Sequence, residues 1–441
     1  MDWTALSDEA IDLLTRYLRI DTTNPPGGEL AGARFLAEVL ERDGIASEIV
    51  ESAPGRANLV ARLRGDGALG GIVLHHHIDV VYADRRYWTV DPFGGEVRDG
   101  FLYGRGALDM KSTGVLQLVA VLALKRARVP LARDLVLLAT ADEEAGSAYG
   151  AQFVADRHRD WLAGAEYAIS ELGVIHADPR FTAPLATIVV SEKTALPIQL
   201  TARSAPGHAS MPWPDTAPHL LVRALGRLLA AERPARALPA VQEFFARLAG
   251  VLPVPEAAGL DDLEASLGDP DFRARFLADR LFAAMVRTTF ALTMLAGSEK
   301  SNVIPPEASA VIDCRLLPGD DPEEIVGWMR AVVDDARVEI RPTKEPKIPN
   351  LSPPDTELYK AMAEALRRRA PGAVVVPEIL VAFTDNWVFR RCGLHGYGFG
   401  PFVLGEGEWQ RIHGNDERIS LENVREGARS YVELLRAVAG A

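Results

Sequence analysis

The chain has 441 residues, of which 48% are hydrophobic and 25% charged. That balance is average for a globular protein and fits neither wholesale disorder nor a membrane-embedded chain; at roughly 150 residues per domain the length predicts about two to three domains. Forty-eight Lys and Arg against 61 Asp and Glu leave a formal charge of -13, which argues against a general nucleic-acid binder, because phosphate attraction needs a basic face.

Only Cys314 and Cys392 are present, so no disulfide framework and no thiolate zinc site is expected, and any metal must use His and carboxylates. The first residues, MDWTALSDEAIDLL, carry acids where a signal peptide would be basic, and no span of about 18 apolar residues follows. A cytoplasmic protein without a membrane segment is expected.

In chain order, SDEAIDLLTRYLRI places apolar residues at helical spacing behind Ser7, predicting a helix capped there. A second amphipathic helix is expected over residues 30 to 43, after the turn-rich TTNPPGGE. ANLVARL and GIVLHHHIDVV read as strands, KSTGVLQLVAVLALKRARV as a buried helix and DLVLLATADEE as the next strand. Strand, helix, strand predicts a parallel α/β sheet, with sites at the carboxyl ends of its strands, where HHHID and ADEE fall.

Near residue 190 the pattern changes. SEKTALPIQLTARSAPGHAS reads as a half-exposed strand, Ala217 to Glu232 as a helix, 240 to 297 as helix-rich, and ASAVIDCRLLPG and ARVEIRP as strands, together an α+β unit. The apolar helical stripes of 240 to 297 are expected to face a core, with an acyl-chain pocket as the alternative. Past KEPKIPNLSPPD, TELYKAMAEALRRRA, VVVPEIL and GYGFGP resume the earlier style. The expected organisation is a catalytic α/β domain in two parts, residues 1–191 and 346–441, interrupted by an inserted α+β domain over 192–345.

Several polar clusters could carry chemistry. His77 and Asp79, two apart at a strand end, share one face, and a carboxylate beside a ligating His is a common way to fix its tautomer; an ordinary exposed His is the alternative. Asp109 precedes a helix and is either an anion at its positive end or a capping residue. Glu143 and Glu144 follow Asp142 at a strand end, either as a solvated turn or as a buried cluster that needs cations. Glu171 ends YAISE, and His413 lies in RIHGNDE.

The strings HIDVV, YGRGALDMK, TADEEAGSAYGA, SEL, APGHASMP, SNVIP, IDCRLLPGDD and IHGNDE, in this order from about residue 10 to 435, resemble the zinc-dependent M20 metallopeptidase family of aminoacylases, carboxypeptidases, dipeptidases and amino-acid deacylases. The resemblance implies a zinc-peptidase-like catalytic domain with a mixed, mainly parallel sheet, and a ferredoxin-like insert serving as lid and dimerisation domain. It implies two Zn2+ per subunit, with Co2+ or Mn2+ accepted by the same ligands. Asp109 would bridge them, His77 and Glu171 completing one site and Glu144 and His413 the other. Asp79 would hold His77, Glu143 would be the general base, and the Asp109-Met110 peptide bond would be cis.

The resemblance further implies a homodimer in which His208 reaches the partner's site to stabilise an oxyanion, while Asn302 and Arg315 grip a substrate carboxylate. Glu171, where dipeptidases tend to carry Asp, tilts the reading toward an N-acyl amino acid or peptide cut beside a free carboxylate. The alternatives are a dipeptidase, a biosynthetic deacetylase or a non-catalytic metal-binding protein; Glu143 beside all five ligands speaks against the last. Two departures stand out: His76 and Ser112 replace family glycines, and VAFTDNW replaces a Gly-Gly lid motif, leaving Thr384 and Asp385 without a family role.

Overall fold

The computed structural model describes residues 1–345 and 350–441. The junction expected at residue 346 lies outside the described residues.

The larger sheet is mixed and ten-stranded, and strand Gly71–His77 lies near its centre between Leu135–Thr140 and Ala165–Ser170, with His395–Gly398 beyond. These four central strands are mutually parallel, while Ser47–Ala53 and Arg56–Leu63 add an antiparallel edge. Alternation decides the faces. Ile72, Leu74, Leu135 and Leu137 join the core under helices Trp3–Leu18, Lys111–Arg126 and Leu421–Ala439, whereas Val73, Val136 and Leu138 pack on the opposite side with Trp387 and Phe389. Strands covered on both faces carry apolar residues on both, and the helix Lys111–Arg126 is buried from Lys111 to Leu124.

The same alternation sorts the histidine triplet. His76 turns to the helical side, where Gly114 makes room for it: a Cβ there would lie 2.4 Å from the ring. His75 and His77 point to the other side.

The second sheet has four antiparallel strands, Thr289–Ala296, Glu307–Leu316, Thr194–Arg203 and Val338–Pro342 in spatial order. Helices Ala217–Ala230 and Pro322–Val333 cover it and share a separate core with it. Read from the Val338–Pro342 edge and counted in chain order, the strands lie fourth, first, third, second, the order of a ferredoxin-like unit.

Three local expectations change. The first helix is Trp3–Leu18, capped by Asp2, whose side chain accepts from Ala5 N at 3.1 Å, and not by Ser7; Leu6 is buried, so the apolar face begins a turn earlier. The run expected as one strand from Ser191 is split at Lys193, with Leu185–Glu192 in the large sheet and Thr194–Arg203 in the small one. TTFALTML is not helical: Thr289–Ala296 is an edge strand of the small sheet, in keeping with its β-branched and aromatic residues. The preceding helices do pack a core, but it is that of the large sheet. Ala240, Val241, Phe244, Phe245 and Leu248 form one stripe of helix Pro239–Ala249, which lies against strand Val374–Leu380.

Candidate metal centre

Parallel strands leave their carboxyl ends facing one crevice, and the large sheet delivers its polar residues there. His77 ends its strand, Glu171 follows Ser170, and Glu143 and Glu144 lie in the turn after Thr140. Asp109 precedes helix Lys111–Arg126 and His413 follows the short helix Trp409–Arg411. Asp142 (φ 69°), Leu172 (φ 67°) and His413 (φ 60°) are all left-handed, a conformation that side-chain-bearing residues adopt at a cost and that collects at functional sites. The Asp109-Met110 bond is cis.

The side chains converge around Asp109. One of its oxygens is 3.0 Å from His77 Nε2 and the other 3.2 Å from His413 Nε2. His77 Nε2 is also 3.7 Å from Glu171, and His413 Nε2 is 3.2 Å from Glu144. Asp109 thus faces two groups at once. Ligand-type atoms of His77, Glu143 and Glu171 lie within 4.8 Å of one another, as do those of His77, Asp109 and Glu144. The His413 side chain is 52% exposed, so the crevice opens on its side.

The electrostatics are those of crowded anions. Burial, and then the nearby Asp109 charge, push Glu171 up to about 8. Burial and the Glu171 charge hold Glu143 well above the glutamate range, and burial raises Asp79 to about 7. Burial would raise Asp109 too, but its hydrogen bonds with His413 and His77 outweigh it and hold it below the carboxylate range. Hydrogen bonds to Asp109 and Glu144 lift His413 to about 10.

One oxygen of Glu144 and one of Glu171 are buried without a hydrogen-bond partner. Orphaned anionic oxygens in an all His and carboxylate set fit divalent cations, which would offset the charge and fill the vacant acceptor positions. His77, Asp109, Glu144, Glu171 and His413 are the residues that could hold them.

Asp79 sits differently from expectation. His77 Nδ1 donates to the backbone carbonyl of Asp79 at 2.9 Å, while the carboxylate is 3.7 Å away. The carboxylate instead accepts from the backbone N–H groups of Glu143 and Glu144, each at 3.1 Å. It fastens the acidic turn, and the main chain orients the imidazole.

Sequence reasoning missed several groups around the centre. Glu417 accepts from Leu108 N at 2.7 Å and Asp109 N at 3.1 Å, and its partner Arg105, 2.6 Å away, donates to the carbonyl of Gly414 at 2.9 Å. This buried pair ties the Asp109 loop to the His413 loop; both residues lay in the quoted strings but carried no assigned role. Asp385 is buried, pairs with His75 and Ser147, and accepts from Thr140 at 3.2 Å. Thr384 is 3.4 Å from Glu192.

The remaining candidates lie on the second sheet's unit. His208, on the short strand Gly207–His208 paired with Val303–Ile304, is exposed and bonds Ser210 at 2.7 Å. Asn302 adjoins it, accepting from Ala209 N at 3.2 Å. Arg315 forms a fork with Asp313 at 3.0 and 3.1 Å. Among the described residues no hydrogen bond or ion pair links these three to the acidic cluster.

Residues 73–437 match the family model described as Peptidase family M20/M25/M40. The chain is 32% identical over 371 residues to the N-fatty-acyl-amino acid synthase/hydrolase PM20D1 of Xenopus tropicalis, covering 82% of this chain and 71% of that protein. It is 27% identical to human Aminoacylase-1 over 440 residues, covering 98% and 95%. The fold matches the M20 family metallo-carboxypeptidase Sso-CP2 of Sulfolobus solfataricus with a TM-score of 0.76 at 20% identity, covering 97% and 99%. The chain belongs to peptidase family M20/M25/M40 and is a hydrolase of that family.

Proposed function

We propose that the protein is a di-zinc amidohydrolase that cleaves an N-acyl amino acid, or a peptide beside its free carboxylate. The observation that carries this is the split of Asp109 between two His and carboxylate groups, with Glu143 beside one of them. His77, Asp109 and Glu171 would hold one ion and Asp109, Glu144 and His413 the other. When bound, such ions acidify water and polarise the acyl carbonyl.

The chain's own groups do the rest. Glu143, seated by its N–H on Asp79, takes the proton of the attacking water and delivers it to the departing amide nitrogen. The oxyanion that forms meanwhile needs a donor, and His208 is proposed to supply it from a second copy of the chain, since it is exposed and faces no group of its own cluster. Arg315, its fork preset by Asp313, and Asn302 are proposed to take the substrate carboxylate. The names of the PM20D1 and aminoacylase relatives favour an acyl amide over a dipeptide. We further propose a cytoplasmic homodimer; Cys314 and Cys392 are both free thiols, and no helix among the described residues is long and apolar enough to cross a membrane.

The test is a hydrolysis screen pairing N-acyl amino acids with dipeptides, with metal content measured on the same protein and on Glu143→Ala. Hydrolysis of N-acyl amino acids, lost by roughly 10²–10⁴ in Glu143→Ala with metal content unchanged, is expected. Unchanged turnover in Glu143→Ala would sink the mechanism.

A further inference from the structure

The acidic turn that carries Glu143 belongs to a loop closed on itself. Gly150 lies so close to Ala141 that a Cβ on it would fall 1.6 Å from the Ala141 carbonyl oxygen. Inside the loop, Ser147 N and Ala145 N both donate to Asp142 O, at 2.6 and 3.3 Å. A loop tied at its neck keeps its shape but not its aim, so its orientation is set by what grips it from outside.

Asn58, Ser52 and Asp385 hold its neck and far side, while the residue next to Glu143 is gripped by Arg56, at the start of strand Arg56–Leu63 and outside every motif assigned so far. Its guanidinium is shared between two carboxylates: Nε lies 2.8 Å from Glu29, and the terminal nitrogen 2.8 Å from both Glu29 and Asp142 Oδ1. The side chains of Arg56, Glu29 and Asp142 are only 10%, 0% and 5% exposed. Gly27 leaves the guanidinium its space, since a Cβ there would lie 2.2 Å from Arg56 Nε. The second oxygen of Asp142 accepts from Tyr149 N at 3.0 Å. Asn24 then bridges Asp142, at 3.2 Å, to Asp79, at 2.9 Å, and Asp79 receives the N–H groups of Glu143 and Glu144.

A buried charge network contributes little net stability compared with apolar packing, but its removal in part leaves uncompensated charge and frees whatever it held. Here what it holds is the residue next to Glu143, in a left-handed conformation. The planar fork matters because two carboxylates on different elements must be met at fixed angles, which a flexible ammonium does not enforce.

We infer that Arg56 is a positioning residue for Glu143: paired with Glu29, it fixes Asp142, and through Asn24 and Asp79 it aims the proton-carrying carboxylate. This rests on the reading of Glu143 as proton carrier. The experiment compares Arg56→Met, Arg56→Lys, Glu29→Gln, Glu143→Gln and the Arg56→Met/Glu143→Gln double variant in the metal-loaded enzyme. Hydrolysis of an N-acyl amino acid that the wild type turns over is followed, with metal content and melting temperature alongside.

Arg56→Met is expected to lower kcat about 10- to 100-fold, the range for groups that orient a catalytic shell, with KM within about twofold and metal content retained. Arg56→Lys should fall between it and the wild type. On the Glu143→Gln background Arg56→Met should cost nothing more, because both act through one group. If Glu143→Gln itself leaves kcat unchanged, the proton-carrier reading fails and takes the inference with it. If Glu143→Gln is inactive but Arg56→Met keeps full kcat, or adds its loss on top of Glu143→Gln, the inference alone fails. Should Arg56→Met not fold, Glu29→Gln decides the matter: a fall in kcat with metal retained supports the inference, and an unchanged kcat overturns it.

Discussion

The crevice of the large sheet and the hairpin bearing His208 are built on opposite plans. In the crevice the supporting carboxylates are heavily bonded: Asp79 takes two backbone N–H groups and Asn24, and Glu417 takes three N–H groups and Arg105, while one oxygen each of Glu144 and Glu171 is left over. At the hairpin the His208 side chain bonds only Ser210 among the described residues, and nearby Met211 is 71% exposed. A scaffold so densely bonded has one arrangement, whereas a sparsely bonded strand tip can be completed by something outside the chain. The difference teaches where each kind of damage should register: on metal and chemistry together in the crevice, on the rate alone, with metal content untouched, at the hairpin.

The largest effect should come from Asp109→Ala. Because that carboxylate faces both His77 and His413, its loss should release metal from both positions and abolish hydrolysis, measured as metal per subunit beside the rate. A variant that keeps full metal would break the picture of a shared bridge.

His208→Ala should lower kcat by roughly 10²–10³, the loss typical for one oxyanion donor, with metal content untouched. Mixing it with Glu143→Ala subunits should restore part of the rate, since one combined site would regain both residues. Absence of recovery in proven mixed dimers would remove the hairpin from the chemistry.

Asp79→Asn sharpens the contrast inside the crevice. An amide turned toward the Glu143 and Glu144 N–H groups loses acceptors where two are used. A loss of about 10- to 100-fold in activity or metal affinity is expected. Because the main chain, not this carboxylate, holds His77, turnover should fall more than metal content.

The smallest effect is on stability. Without metal, burial and neighbouring charge raise Glu171 to about 8 and burial raises Asp79 to about 7. Groups raised above their unfolded values bind more protons in the folded chain, so their contribution is complete at low pH and is lost as pH rises through the folded value. The metal-free protein should therefore melt at falling temperature from about pH 4.5 to 8, and metal, which takes the deprotonated forms, should reverse the trend. A metal-free melting temperature that climbs over this window would contradict the crowded-anion account.

Much of this was readable beforehand, and the failures are specific. Strands such as GIVLHHH announced themselves because both faces are covered, and the clusters at their ends followed. TTFALTML misled because a short apolar run does not reveal its period when its neighbours are helical. Arg56 and Glu29 were invisible: they are 27 residues apart in the chain and meet only because a strand edge and a helix start are packed together. Asp79 was expected to hold His77 with its carboxylate, but the 2.9 Å contact comes from its backbone carbonyl, since sequence spacing cannot tell a carboxylate contact from one made by the neighbouring carbonyl.

The sequence by itself determined the kinds of group available: few cysteines, hence a centre of His and carboxylates, placed at strand ends by the alternation of apolar and polar residues. It also determined the change of pattern near residue 190. Only the tertiary structure decided that Asp109 faces two ways, that Arg105 and Glu417 tie two distant loops together, and that the 239–286 helices close the large sheet and not the small one. The physical reason is that periodicity is a local property, while shared charge and filled cores are settled between segments that meet only when the chain has folded.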